Sequence, residues 1–220
     1  MIDLSRYSRD PAFTATGWLV IDFEGTTPAH YPAEPIEVGA VLLRFAESRL
    51  VEVHRWEALI RPPAHAPITG FDFAQTAITA AMVADQPSAE TVLASFDAVL
   101  TEPPYVTVAH HAPTEAGILT RYAHACPTLA GAPMLDTLRL ARHAYPELAS
   151  HTLDTLLTHF GIPVPTGRHR ALPDAAATAD ILQQLLTEGS HRHRWSRLAE
   201  LHQLAGLPPP AAGRSQETLF

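Results

Sequence analysis

The stretch VIDFEGTT, residues 20–27, places two acids one residue apart at the end of an apolar run. Side chains two residues apart on a strand leave the same face of the sheet, so Asp22 and Glu24 are expected to lie together. Carboxylates held together repel each other, and a bound divalent cation such as Mg²⁺ or Mn²⁺ would relieve that repulsion. A D-x-E pair alone is weak evidence, and a polar strand end is its simpler interpretation.

The composition excludes several classes of protein. The 220 residues, 46% of them hydrophobic, suffice for one compact domain, and no apolar run predicts a membrane-spanning helix. The N-terminus lacks a signal-peptide pattern and Cys126 is the only cysteine, so we expect a cytoplasmic protein with no membrane association. The net charge of −8 argues against a broad basic surface for nonspecific duplex binding, but not against a metal-binding acid cluster.

Periodicity predicts an α/β domain with a mixed sheet. We expect strands at residues 17–23, 36–45, 50–60, 105–110 and 133–136, and helices at residues 78–84, 88–100, 113–125, 137–145, 152–160, 173–187 and 194–204. The predicted organisation is an N-terminal extension (1–16), a main domain (17–188), a C-terminal helix (189–206) and a flexible tail (207–220).

Two further acids are expected at helix starts. Glu115 follows Pro113 and Asp174 follows Pro173, and proline is favoured at the first position of a helix. The free N–H groups and the helix dipole stabilise an ionised carboxylate there and keep it available as a ligand. For either acid alone, a favourable N-terminal charge is the simpler interpretation.

His169 lies in a Gly- and Arg-rich loop five residues before Asp174. Histidine changes its charge close to neutral pH, so His169 is a candidate general base beside a metal-binding acid. The chain has 13 histidines, however, and a loop histidine is usually only solvated.

Taken in order, these elements resemble the DEDDh 3′–5′ exonucleases of the proofreading type. The resemblance covers residues 17–188 and rests on DFEGTT from residue 22, IEVGAVLL from 36, AHHAPTE from 109 and HRALPDA from 169. It implies a ribonuclease H-like α/β fold: a mixed sheet flanked by helices, in a single domain with a flexible C-terminal tail.

The resemblance also implies a mechanism and a set of catalytic residues. A nucleic-acid 3′ end, DNA more than RNA, would be hydrolysed to 5′-mononucleotides with two Mg²⁺ or Mn²⁺ ions. Asp22, Glu24 and Asp174 would hold one ion, and Asp22 would also contact the second. Glu115 would support the second ion, and His169 would be the general base. Substrate contacts are expected from Gly25, Thr26, Thr76, His111, Arg168 and Arg170, although solvated arginines are an equal alternative for the last two.

The chain departs from the family pattern in two motifs. Glu115 stands where the family has Asp, His111 where it has Asn, and Thr76 begins TAIT where the family often has HGIT. Two alternatives to a DNA exonuclease stay open. One is a nuclease that trims RNA or short oligoribonucleotide 3′ ends, because the motifs do not distinguish the sugar. The other is a catalytically impaired adaptor that binds ends or the sliding clamp.

The last five residues, QETLF, fit the spacing Q-x-x-L-F. This resembles the peptides with which bacterial replication proteins bind the sliding clamp, where Gln supplies hydrogen bonds and Leu-Phe fill an apolar pocket. Gln216, Leu219 and Phe220 are therefore predicted partner contacts, with a chance match as the alternative.

Overall fold

The computed structural model describes residues 2–192 and 194–207. Within these residues one sheet contains β1 (Gly17–Gly25), β2 (Pro35–Ala46), β3 (Arg49–Leu59), β4 (Tyr105–Ala109) and β5 (Met134–Asp136). The α-helices of the described chain are α1 (Pro11–Ala15), α2 (Gly70–Thr76), α3 (Ala80–Val83), α4 (Ala89–Asp97), α5 (Pro113–Arg121), α6 (Pro127–Gly131), α7 (Thr137–Ala144), α8 (Leu153–Phe160), α9 (Ala171–His191) and α10 (Leu198–Ala205). The predicted α/β class is confirmed.

The strands lie in the order β3-β2-β1-β4-β5. β2 pairs antiparallel with β1 and β3, whereas β4 runs parallel to β1 and β5 runs parallel to β4. The sheet is therefore mixed, as predicted. The carboxyl ends of β1, β4 and β5 meet at one edge, which is where ligands bind in sheets of this kind.

Side chains of β1 alternate between two cores. Trp18 and Val20 pack in the core that contains α9, whereas Leu19 and Ile21 pack on the opposite face with residues of α4 and α5. Because side chains alternate along a strand, Asp22 and Glu24 leave the face that α9 covers.

The start of α9 differs from the prediction by two residues. The helix begins at Ala171, and the Ala171 N–H donates to the buried Glu37 carboxylate at 2.9 Å. Glu37, on β2, thus replaces a local N-cap, which a sequence pattern does not show. Pro173 is tolerated at the third helical position because N–H groups in the first turn have no intrahelical partner.

Short helices account for most of the other differences between the predicted and the observed secondary structure. The sequence pattern did not predict α2 or α6, and the helix expected at 113–125 ends at Arg121. A capping box between Thr69 and Asp72 begins α2, and Pro127 begins α6. Helices this short carry too little apolar periodicity to be recognised in a sequence.

The N-terminal segment packs into the core of the domain. In the predicted N-terminal extension, Leu4, Tyr7 and Phe13 are fully buried, and the Tyr7 and Phe13 rings stack 4.2 Å apart. The predicted clamp-binding residues in the tail lie outside the described residues. In residues 2–192 and 194–207, none of the helices combines the length and apolarity needed to span a bilayer.

Candidate active site

Asp22 lies at the carboxyl end of β1, where the chain emerges from the core. Desolvation, and then the charges of Glu115, Glu24 and Asp174, raise the pKa of Asp22 well above its ordinary value of 3.8. The four acids predicted from separate motifs are therefore close enough to repel one another electrostatically.

The pKa values of Glu24 and Glu115 are raised as well. Desolvation, followed by the charges of Asp174 and Glu37, raises the pKa of Glu24 to about 7. Desolvation is also the main cause that raises the pKa of Glu115 to about 8, with Asp136 and Glu24 adding to it. Such a site disfavours full ionisation without a cation.

Asp174 is buried in the first turn of α9 and lies beside His169. Glu24, His169 and Asp174 each offer a ligand atom, and these atoms all lie within 4.8 Å of one another. His169 is exposed, its backbone has a φ of +63°, and its N–H donates to Asp174 Oδ2 at 3.2 Å. The loop before α9 thus folds back onto the first turn of the helix.

Two carboxylate oxygens in this cluster lack partners. Glu115 Oε2 and Asp174 Oδ1 are buried and accept no hydrogen bond from the described part of the chain. A buried carboxylate oxygen without a donor is costly, and hard divalent cations such as Mg²⁺ and Mn²⁺ prefer oxygen ligands. The residues present therefore fit a divalent ion.

The cluster opens into a cleft of about 1010 Å³. Asp22, Glu24, His169 and Asp174 line it, and so do Pro146 and residues 148–153, which follow α7 and lead into α8. Glu115 is 4% exposed and is not among the residues that line the cleft. The arrangement provides a half-open acidic cleft with a histidine at its rim.

The exonuclease family RNase_T matches residues 19–182, which includes every one of these acids. This chain belongs to that exonuclease family. The chain also matches "DNA polymerase III PolC-type" of Halalkalibacterium halodurans, at 34% identity over 176 residues, and of Bacillus subtilis strain 168, at 30% over 177 residues. Each match covers 80% of this chain but 12% of the relative.

Solved structures share the fold of this chain. Exonuclease X in complex with 5′ overhanging duplex DNA has a TM-score of 0.61 and 24% identity, covering 86% of this chain and 97% of that one. The nuclease domain of 3′hExo, a DEDDh family member bound to rAMP, has a TM-score of 0.66 and 19% identity, covering 82% and 95%. The predicted fold is confirmed by these structures, and the predicted exonuclease family by the match over residues 19–182.

Two of the predicted substrate contacts, His111 and Arg168, line the cleft. His111 has a φ of +66°, and its N–H donates to Asp136 Oδ1 at 3.0 Å. Arg168 lies between Asp154 and Asp174 and forms ion pairs with both. Their predicted contacts with nucleic acid stay predictions.

The other predicted substrate contacts do not line the cleft. Thr26 is fully buried and its N–H donates to the Glu34 carbonyl at 2.8 Å, next to Gly25 at the end of β1. The buried Thr76 donates its hydroxyl to the Asp72 carbonyl at 3.0 Å. Arg170 forms an ion pair with Glu37 and a second, at 3.7 Å, with Glu57.

Sequence reasoning missed two acids that shape the site. Asp136, at the end of β5, accepts the N–H groups of His111 and Leu138 and so joins the loop after β4 to the start of α7. Asp72 accepts the N–H and hydroxyl of Thr27 at 3.0 and 2.7 Å, which ties α2 to the segment after β1. Asp136 is the N-cap of α7, and Asp72 forms a capping box with Thr69 as the third residue of α2, so a search for capping motifs could have found both.

His110 was also missed as a component of the cleft. Its Nδ1 lies 2.9 Å from the Thr137 hydroxyl, and burial is the main cause that lowers its pKa to about 4. His110 is therefore neutral over the physiological range and contributes no positive charge to the acidic cluster.

Proposed function

We propose that this protein is a metal-dependent 3′–5′ exonuclease that releases 5′-mononucleotides. The observation that carries the proposal is the convergence of Glu24, His169 and Asp174 within 4.8 Å, at the mouth of a cleft also lined by Asp22. Membership of an exonuclease family supports the reaction class.

Asp22, Glu24 and Asp174 are the proposed ligands of one divalent ion, and Glu115 supports a second. Mg²⁺ or Mn²⁺ bound there would activate the attacking water and stabilise the leaving 3′ oxygen. Glu115 Oε2 and Asp174 Oδ1, buried and without a hydrogen-bond donor among the described residues, support this assignment. Repulsion among the acids also supports it, because a cation turns that repulsion into attraction.

His169 is the proposed general base. It is exposed at the cleft, and its ring lies within ligand distance of Glu24 and Asp174, where an attacking water would be held. An imidazole within reach of a bound water can act as a general base and take its proton.

DNA is the proposed substrate, in replication or repair. The curated relatives are DNA polymerases by name, and one structural neighbour is described with duplex DNA. RNA is the second candidate, because another neighbour with the same fold is described with rAMP.

Hydrolysis of 5′-labelled single strands of DNA and RNA tests both candidates. Incubation with Mg²⁺, Mn²⁺ or EDTA should give stepwise shortening from the 3′ end of DNA with either metal and none in EDTA. D22A and D174A should abolish the shortening, whereas R49A, at an exposed ion pair, should not. Activity in EDTA would refute the metal mechanism, faster RNA hydrolysis would reassign the substrate, and end binding without hydrolysis would indicate an adaptor.

We further infer a cytoplasmic protein that binds a bacterial sliding clamp through Gln216, Leu219 and Phe220. The Q-x-x-L-F spacing and the PolC-type relatives support the inference. Deletion of residues 216–220 should remove the protein from immobilised clamp without changing the rate of hydrolysis of a short oligonucleotide. Equal retention of the deleted and full-length proteins on the clamp would contradict it.

A further inference from the structure

Arg168 joins the starts of two helices at the edge of the cleft. Its Nε donates to Asp154 Oδ1 at 2.7 Å, and its Nη1 forms a hydrogen-bonded ion pair with Asp174 Oδ2. Asp154 belongs to the first turn of α8 and Asp174 to the first turn of α9. The side chains of Arg168 and Asp174 are 17% and 7% exposed, so their half of the bridge is largely shielded from water, whereas the Asp154 half faces solvent.

The bridge makes the two oxygens of Asp174 unequal. Oδ2 accepts from Arg168 and also from the His169 N–H at 3.2 Å. Oδ1 is buried and has no hydrogen-bond partner within the described residues. A carboxylate held through one oxygen cannot rotate freely, so the other oxygen keeps a fixed direction.

A guanidinium group can hold two carboxylates in a fixed orientation, and an ammonium group cannot. The donors of arginine lie in one rigid plane and can contact two carboxylates at once. Lysine has the same charge but concentrates it at one nitrogen at the end of a flexible chain. Replacing Arg168 by lysine therefore keeps the positive charge but removes the group that orients the carboxylate.

Two other roles are compatible with a cation at this position. Arg168 could contact a substrate phosphate, as the sequence predicts, or it could occupy Asp174 and compete with a metal ion. The competing role predicts tighter metal binding when the bridge is removed. A positioning role predicts weaker binding, so the sign of the change separates them.

We propose that Arg168, held by Asp154, is a positioning residue that directs Asp174 Oδ1 toward a divalent ion. The inference rests on the proposed function, because it takes Asp174 as a metal ligand. It adds Asp154, on a different helix and 60% exposed, to the residues on which metal affinity depends.

Calorimetric titration of the full chain with Mn²⁺ alone tests the proposal without substrate. R168K keeps the charge and removes the two-carboxylate bridge, and we expect the Mn²⁺ dissociation constant to rise about 10- to 100-fold. D154N should give a smaller rise, and the double variant R168K/D154N should bind no more weakly than R168K, because both changes break one bridge.

Two reference variants show whether a failure concerns the role of Arg168 or the proposed metal site itself. E147Q removes an exposed acid between cleft-lining Pro146 and Leu148 and should leave Mn²⁺ affinity unchanged. D174N should remove tight Mn²⁺ binding. Should D174N bind like the unaltered protein, the proposed metal site and this inference both fail.

The remaining outcomes concern Arg168 alone. If D174N loses Mn²⁺ but R168K and D154N bind as well as or better than the unaltered protein, the positioning role is overturned and the proposed function stands. If R168K does not fold, D154N decides, because its side chain is exposed and its removal leaves the Arg168 charge in place. A fall in affinity for D154N but not for E147Q supports the bridge.

Discussion

Gly39 on β2 lies directly against the backbone of Leu172 at the start of α9. A Cβ placed on Gly39 would come within 2.2 Å of the Leu172 nitrogen, closer than any real contact. This close approach seats the first turn of α9 on the sheet, and that turn carries Asp174. Gly39 is also the direct partner of Asp22 in the pairing of β1 with β2, so a glycine beside one acid of the cluster fixes the position of another.

Replacement of Gly39 by alanine should displace the start of α9. We expect G39A to lower the free energy of unfolding by about 1–3 kcal/mol, because the helix backbone must move to admit the methyl group. Urea denaturation measures the loss. G131A is the matched control, since a Cβ at Gly131 meets nothing within 4 Å and should cost little. Equal stability of the two variants would contradict the packing argument.

The acid cluster predicts how stability depends on pH. Glu24 and Glu115 have pKa values of about 7 and about 8 in the folded protein, above their ordinary value of 4.5. A carboxyl group whose pKa is raised by folding favours the fold while protonated. That contribution is complete below the ordinary pKa and disappears as the pH rises through the folded values.

We therefore expect the melting temperature in EDTA to fall as the pH is raised from about 5 to about 8.5. For a chain of this size, each kcal/mol lost lowers it by about 2–4 °C. Mn²⁺ should reverse much of the fall at the upper end of this range. The double variant E24Q/E115Q should flatten the dependence in EDTA, and an unchanged slope in that variant would assign the dependence to other groups.

Glu115 should be needed for activity although it lies outside the cleft. E115Q removes its charge while preserving its size, and we expect the rate of nucleotide release to fall about 100-fold. E102Q, at a side chain that is 83% exposed, is the control and should be fully active. An unchanged rate for E115Q would remove Glu115 from the site.

Arg170 should matter more to the fold than to the substrate. Glu37 is fully buried, and R170A leaves it without its ion-pair partner. We expect a loss of about 3 kcal/mol in the free energy of unfolding, against less than about 1 kcal/mol for R49A at an exposed pair. An unchanged KM for the oligonucleotide would assign Arg170 to the fold. A raised KM with normal stability would support the phosphate contact predicted from the sequence.

Sequence patterns were sufficient for the sheet and for the four acids. Strand alternation places Asp22 and Glu24 on one face, and the prolines before Glu115 and Asp174 predict that both lie in the first turn of a helix, as they do. These positions depend on neighbours within a few residues, whereas the grouping of the four acids into one site came from the family resemblance. The same local logic failed for α2 and α6, whose short length gives no periodic signal.

The long-range partners could not be predicted in this way. Nothing near Arg170 in the sequence indicates that Glu37, 133 residues earlier, accepts its hydrogen bonds. The Asp72 contact with Thr27 spans 45 residues in the same way. A charged side chain has many possible partners in the sequence. Which one it contacts is known only once the helices and strands are packed together.

The sequence by itself thus determined which residue types converge and which face of β1 carries them. Only the tertiary structure decided which oxygens they present, because Arg168, in the loop before α9, meets Asp154 of α8 and leaves Asp174 Oδ1 without a hydrogen-bond partner among the residues described. The physical reason is that strand and helix periodicity is a local property of the chain. The hydrogen bonds that orient a buried carboxylate depend on donors brought from distant segments.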